Sequence, residues 1–173
     1  EQAKGLSVLQ HGESVWEYTQ RLLSKDWDEF KIPKWLEENY HEINSNLHEL
    51  EIIEEYNVLH DCGKPYCLEE GEDGRRHFPN HAEVSKDTYM GITGANPITG
   101  SLIGWDMVLH SYTADNIKAI GLSKKDAYTL MITALAEIHS NAAMFGGMES
   151  VSFKSKWKTL DRRGKMLLKE GLQ

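Results

Sequence analysis

Cysteine is scarce: 173 residues contain only Cys62 and Cys67. Two thiols cannot build the disulfide framework of a small secreted domain, and their C-x4-C spacing, with no second pair, is not a zinc-knuckle spacing. No apolar run approaches the roughly 18 to 20 residues that span a bilayer. The opening "EQAKGLSVLQ" has neither the charged start nor the apolar run of a secretory signal. Internal repeats and low-complexity tracts are missing, and no stretch keeps up the apolar/polar alternation of a strand. The expectation is a cytoplasmic protein with reduced thiols, no membrane association and no β architecture.

What is present is a chain of globular character. Hydrophobic residues make up 40% and charged residues 27%, enough for one domain over residues 1–173 with a real core. The net charge of −8 is unevenly spread. From residue 154 to the end, seven Lys/Arg face Asp161 and Glu170, a local +5 that leaves −13 on the rest. Residues 152–170 form a basic C-terminal segment. Lys154, Lys156 and Lys158 interleave there with Trp157, a pattern that suits a phosphate backbone with a stacked base, although neutralising the acidic body would look the same.

Helical spacing recurs along the chain, and the fold class is all-α, a single helical bundle. In "SVWEYTQRLLSKDWDEF", Val15, Thr19, Leu22 and Leu23 share a face and Ser14 is placed to cap the start. "IPKWLEENYHEINSNLHELEIIEEYNVLHDCGK" reads as one or two helices, whose stripe of Ile52, Ile53, Tyr56 and Leu59 runs into His60, with Gly63 as the stop. "LEEGEDGRRHFPN" reads as a loop, "HAEVSKDTYMGITG" as a short helix, and Pro97 as a break before the next. "SKKDAYTLMITALAEIHSNAAMFGG" carries a serine cap, about five turns of apolar periodicity and a glycine pair to end it.

The adjacent His60-Asp61 at the end of an apolar helix needs a chemical reason. A buried unpaired carboxylate is costly, so a cation should neutralise Asp61; either Lys64 or a metal serves. Four further places can converge on the pair: His11, His81, His110, and Glu137 with His139 on the late helix. Imidazole nitrogen with carboxylate oxygen suits Mn, Fe, Co, Ni or Zn. Taken singly, each histidine reads more simply as a cap or a surface residue. His41 and His48 read as solvated. Trp16, Tyr18 and Trp105 read as packing residues, with base stacking as the other use.

"HGESVWEYTQRLL", "YNVLHDCGKP" and "FPNHAEVS" together resemble the HD-domain superfamily of metal-dependent phosphohydrolases. The pattern is closest to the HD module of bacterial tRNA nucleotidyltransferases and their stand-alone relatives, over about Leu9 to Phe145. The resemblance implies a metal set of His11, His60, Asp61, His81 and His110, with a late carboxylate that departs from the family's aspartate. Glu137 in "AEIHSNA" is the substitute; Asp106 and Asp115 are rivals. It implies one or two divalent transition ions bridged by Asp61, with His11 and His60 on one, His81 and His110 on the other. Asp61 and Lys64 become the catalytic pair. Read from the residues themselves, Arg75 and Arg76 beside His77 on the loop and the interleaved Lys154, Lys156 and Lys158 are the candidate substrate-binding cations. The implied substrate is a phosphomonoester or phosphodiester of a nucleotide or nucleic-acid end, including 2′,3′-cyclic ones. A mixed-valence di-iron oxygenase and a degenerate, non-catalytic nucleotide-binding domain are the alternatives.

Overall fold

The computed structural model describes residues 6–72 and 74–169; the last position of the expected basic segment 152–170 lies outside them. The all-α expectation holds. Helix α1 spans Val8–Leu23, α2 Lys34–Asn44, α3 Leu50–Leu59, α4 His81–Met90 and α5 Pro97–Gly104. Then come α6 Val108–Ser111, α7 Ala114–Ile120, α8 Lys124–Ser140 and α9 Val151–Lys169. Within the loop expected between α3 and α4, Glu69–Glu70 pairs antiparallel with Arg76–His77, a two-residue ladder.

Local chemistry sets the ends. α1 starts about two turns earlier than expected. Ser7, not Ser14, caps it: Ser7 Oγ accepts from Gln10 N–H (3.2 Å) while Gln10 Oε1 accepts from Ser7 N–H (2.9 Å). Ser14 sits mid-helix and meets Ser140 Oγ at 2.8 Å, tying α1 to α8. Asn96 caps α5 through Ile98 N–H, with Pro97 in its first turn. Ser123 and Asp126 form the capping box of α8, as the serine-cap expectation required. The stop assigned to Gly63 is corrected too. α3 ends at Leu59 with His60 as its C-cap, and Gly63 has φ −84°, so it supplies no left-handed turn.

α8 is the hub. Every side chain from Ala127 to Ala136 is buried. α1 packs on α8 and α3, α5 on α3 and α4, and α9 on α8, α6 and α2. The shared core draws on α1 through α9, with Val15, Tyr56, Leu102, Leu135 and Phe153 at or below 1% exposure. Each such side chain contributes about 1.5–3 kcal/mol. No helix among the described residues is long and apolar enough to cross a membrane.

Candidate metal centre

Three elements of α1, α3 and α8 meet around one point. On α1, His11 heads the buried stripe His11, Val15, Thr19, Leu22, so the periodicity that drives burial also drives its imidazole inward. Gly12 lets α1 approach α3: a Cβ there would overlap the Val58 backbone. The His11 and His60 rings consequently meet edge to face, centroids 5.2 Å apart. Gly63 does the same for α4. A Cβ would overlap the backbone of Val84 and Ser85, and Gly63 N–H donates to Ser85 Oγ at 3.0 Å. The absent side chain, rather than a special dihedral, is why glycine stands at both places. This contact seats the start of α4, and hence His81, against the His60-Asp61 turn.

Asp61 is buried at the middle. Its Oδ2 lies 3.2 Å from His60 Nε2, 3.7 Å from His11 Nε2 and 2.7 Å from Lys64 Nζ. Its Oδ1 lies 3.8 Å from His81 Nε2. Glu137 completes the other side, and His11, His60 and Glu137 each offer a ligand atom within 4.8 Å of the others. These three side chains form a group able to hold a metal ion. His110 joins through Glu137, Nε2 to Oε2 at 3.1 Å. It therefore pairs with the carboxylate beside His11 and His60, whereas the family-derived expectation grouped it with His81.

The histidines are oriented as ligands are. His60 Nδ1–H donates to Asn57 O (2.7 Å) and His81 Nδ1–H to Phe78 O (3.1 Å). Each bond orients the ring and turns Nε2 toward the carboxylates, so Nε2 is the nitrogen that would hold a metal. Behind His60, Asn57 Oδ1 accepts from Thr19 Oγ1–H at 2.6 Å, and its Nδ2–H donates to Thr133 Oγ1 at 3.1 Å, pinning α1, α3 and α8 together. Nothing in the sequence marked Asn57 except a polar residue inside an apolar stripe.

Electrostatics make the centre a concentrated charge site. Burial works against the carboxylate of Asp61, but His60 and Lys64 outweigh it and hold the pKa well below the usual value. Burial also opposes the His60 imidazolium, and Asp61 and Asp106 overcome it, lifting the pKa to about 10. Glu137, likewise penalised by burial, is drawn down to about 2 by His110 and His60. Burial lowers the His11 pKa, with His60 adding to the effect.

The residues present fit a metal as well as one another. Lys64 accounts for one carboxylate oxygen. His60 Nε2 and His110 Nε2 are buried and each faces a carboxylate oxygen at 3.1–3.2 Å, so each is paired with a carboxylate when protonated and would be a ligand nitrogen when a cation takes the proton's place.

The rival carboxylates separate cleanly. Asp106 is buried nearby and accepts from Tyr56 O–H at 2.8 Å; burial raises its pKa. Asp115 is exposed on α7. His139, raised as a possible contributor, belongs to the core instead. Its Nε2 accepts from Lys31 N–H at 3.0 Å and its ring lies between Phe30 and Phe153. His48 is not solvated: it meets Asp126 at 2.8 Å with 8% of its side chain exposed, because the cap of α8 packs under the α2–α3 connection. His41 is exposed as expected.

The expected substrate cations divide. Arg75 and Arg76 are exposed on the short hairpin with His77. On α9, Phe153, Leu160, Gly164 and Leu167 are buried. Lys156 lies on the flank toward α6, within electrostatic reach of His110, whose pKa Glu137 nonetheless raises against burial, and its Nζ is 5.0 Å from the Phe145 ring centroid. Residues two apart on a helix diverge by about 160°, so Lys154 and Lys158 project from the other flank. Lys154 pairs there with Glu149 at 2.7 Å. Trp157 is not presented to a base: its Nε1–H donates to Lys31 O at 2.6 Å.

Comparison with protein-family models, with curated proteins and with solved structures gave no match.

Proposed function

We propose that the chain is a metal-dependent phosphohydrolase of the HD type, acting on phosphomonoesters or phosphodiesters of nucleotides or nucleic-acid ends. The observation that carries this is the placing of Asp61, one carboxylate oxygen toward His60 and His11 and the other toward His81. Such a carboxylate is disposed to bridge two cation positions. His11, His60 and Glu137 with Asp61 would hold one ion, and His81 with Asp61 would begin a second position. Mn, Fe, Co, Ni and Zn all accept this nitrogen and oxygen donor set. Bound there, a divalent cation supplies positive charge to phosphoryl oxygens and acidifies water near neutral pH.

The chain's own residues supply the rest. Lys64, held at 2.7 Å from Asp61 Oδ2, sets a second fixed positive charge beside the phosphoryl group. Lys156 approaches from α9 on the His110 side. Asn57 O and Phe78 O keep the two imidazoles turned, so little reorganisation is needed when substrate arrives. In hydrolysis the water oxygen bonds to phosphorus, the ester P–O bond breaks, and the leaving alcohol departs with a proton.

Elemental analysis of purified protein, followed by a phosphoester panel with the metal found, tests this. The expected result is at least one stoichiometric divalent transition ion and turnover that chelator removes and the same metal restores. Protein that neither carries nor binds a transition ion, and turns over no phosphoester, selects the non-catalytic alternative. Two irons with oxygen consumption select the oxidative one.

A further inference from the structure

The wall of the centre that carries His81 borders a cavity of about 290 Å³, lined also by Asn80, Glu83, Met107 and Tyr112. A second cavity of about 270 Å³ shares Glu83, Gly104 and Tyr112 with it and adds Lys86, Trp105 and Ile120. Three shared wall residues make the two adjoining chambers of one depression. Together they reach the size range of small-ligand sites, roughly 300–1,000 Å³. A larger groove of about 530 Å³ lies along Trp16, Gln20 and Leu50, but none of the centre's side chains lines it.

We propose, building on the phosphohydrolase reading, that these chambers form a nucleoside monophosphate pocket. The phosphoryl group sits at His81 in the first chamber and the base lies against Trp105 and Tyr112 in the second. Glu83 selects bases that present an amino group.

The chemistry of the walls argues for this occupant. The first chamber touches the centre through His81, whose Nε2 faces Asp61 Oδ1 at 3.8 Å. The second is the aromatic one: Trp105 is half-buried and Tyr112 is 43% exposed. Aromatic faces stack on any base, whereas a simple sugar phosphate makes no use of them. Tyr112 is anchored from behind, its carbonyl accepting from Arg163 Nη2 on α9. Gly104 leaves the shared floor open; a Cβ there would meet the Lys86 side chain. Glu83 stands in both chambers. An ionised carboxylate only accepts hydrogen bonds, so it favours the amino edges of guanine, cytosine and adenine. Uracil offers one N–H flanked by two carbonyls, which a carboxylate repels. The α9 charges fit a small substrate rather than a polymer track, because Lys154 and Lys158 face away from the α6 side where the pocket opens.

The test compares GMP, CMP, AMP and UMP with ribose 5-phosphate, which has no aromatic group, using Mn²⁺-loaded protein. The expected result is a kcat/KM about tenfold higher for the amino-bearing nucleotides than for UMP. Tyr112→Ala and Gly104→Leu should each lower kcat/KM for GMP about tenfold more than for ribose 5-phosphate, chiefly through KM. Glu83→Gln should erase the preference over UMP. Equal treatment of all nucleotides by wild-type protein, or variants that change both substrate types in parallel, overturns the pocket. If wild-type protein hydrolyses nothing, isothermal titration with GMP and UMP decides separately. GMP binding that weakens in Tyr112→Ala keeps the pocket while the hydrolase reading falls; absence of binding removes both.

Discussion

His60 and His139 occupy two parts of the same core and are buried almost equally, at 1% and 3% exposure. Each gives its Nδ1–H to a backbone carbonyl at 2.7 Å, Asn57 for one and Leu135 for the other. They part company at Nε2. That of His139 accepts from the Lys31 amide, so the chain itself uses both nitrogens. That of His60 faces the Asp61 carboxylate at 3.2 Å instead of a backbone group. The charge response follows. Burial among Phe30 and Phe153 drives the His139 pKa down to about 4, whereas carboxylates overcome burial at His60. A buried histidine whose nitrogens both meet the backbone builds structure; one whose second nitrogen faces carboxylates holds a proton there that a cation could replace.

Breaking the His60 side should have the largest effect. Asp61→Ala is expected to lower phosphoester turnover at least about a hundredfold and to release the metal, with the far-ultraviolet circular dichroism unchanged. Wild-type turnover by that variant would put the chemistry elsewhere. The His139 side should show itself through pH instead. Its folded pKa of about 4 lies below the ordinary 6.5. Its neutral form therefore stabilises the fold fully above pH 6.5, and that contribution is lost as pH falls toward 4. The loss amounts to about 3 kcal/mol. Urea titrations between pH 7 and pH 4 would measure it, and His139→Phe should remove this part of the slope while metal content stays normal.

Smaller effects sharpen the contrast. Gly12→Ala pushes α1 off α3 and should cost roughly 1–3 kcal/mol while also weakening metal binding, since His11 and His60 move apart. A variant that loses stability but keeps full metal affinity would show the close approach to be structural alone. Lys158→Ala, on the far flank of α9, should shift stability by no more than about 0.5 kcal/mol and leave turnover within twofold. A steep loss there would restore the polyanion track along α9.

Much of the candidate centre could be read before folding. His11, His60, Asp61, His81 and Glu137 were all marked by residue type and order, because ligand chemistry restricts which side chains serve. Helix existence was equally legible, since 3.6-residue periodicity is local. The errors have local causes as well. Ser14 stands nearer the most apolar part of α1 than the Ser7–Gln10 box that caps it, which hides the true start from a local reading. Glycine serves both as a terminator and as a place of close approach, and only the neighbour across the contact shows that Gly63 is the latter. The core roles of His48 and His139 are hidden because their partners, Asp126 and Lys31, lie 78 and 108 residues away.

By itself the sequence determined an all-helical chain with inward-facing imidazoles and carboxylates, because side-chain periodicity and donor chemistry are properties of short segments. Tertiary packing alone decided which histidines turn a nitrogen toward carboxylates, that His110 sides with Glu137, and that Lys156 rather than Lys154 or Lys158 turns toward α6. Those outcomes depend on which helices touch. The contacts are set by two missing Cβ atoms, at Gly12 and Gly63, and by the buried face of α9, whose consequences appear only once distant segments are brought together.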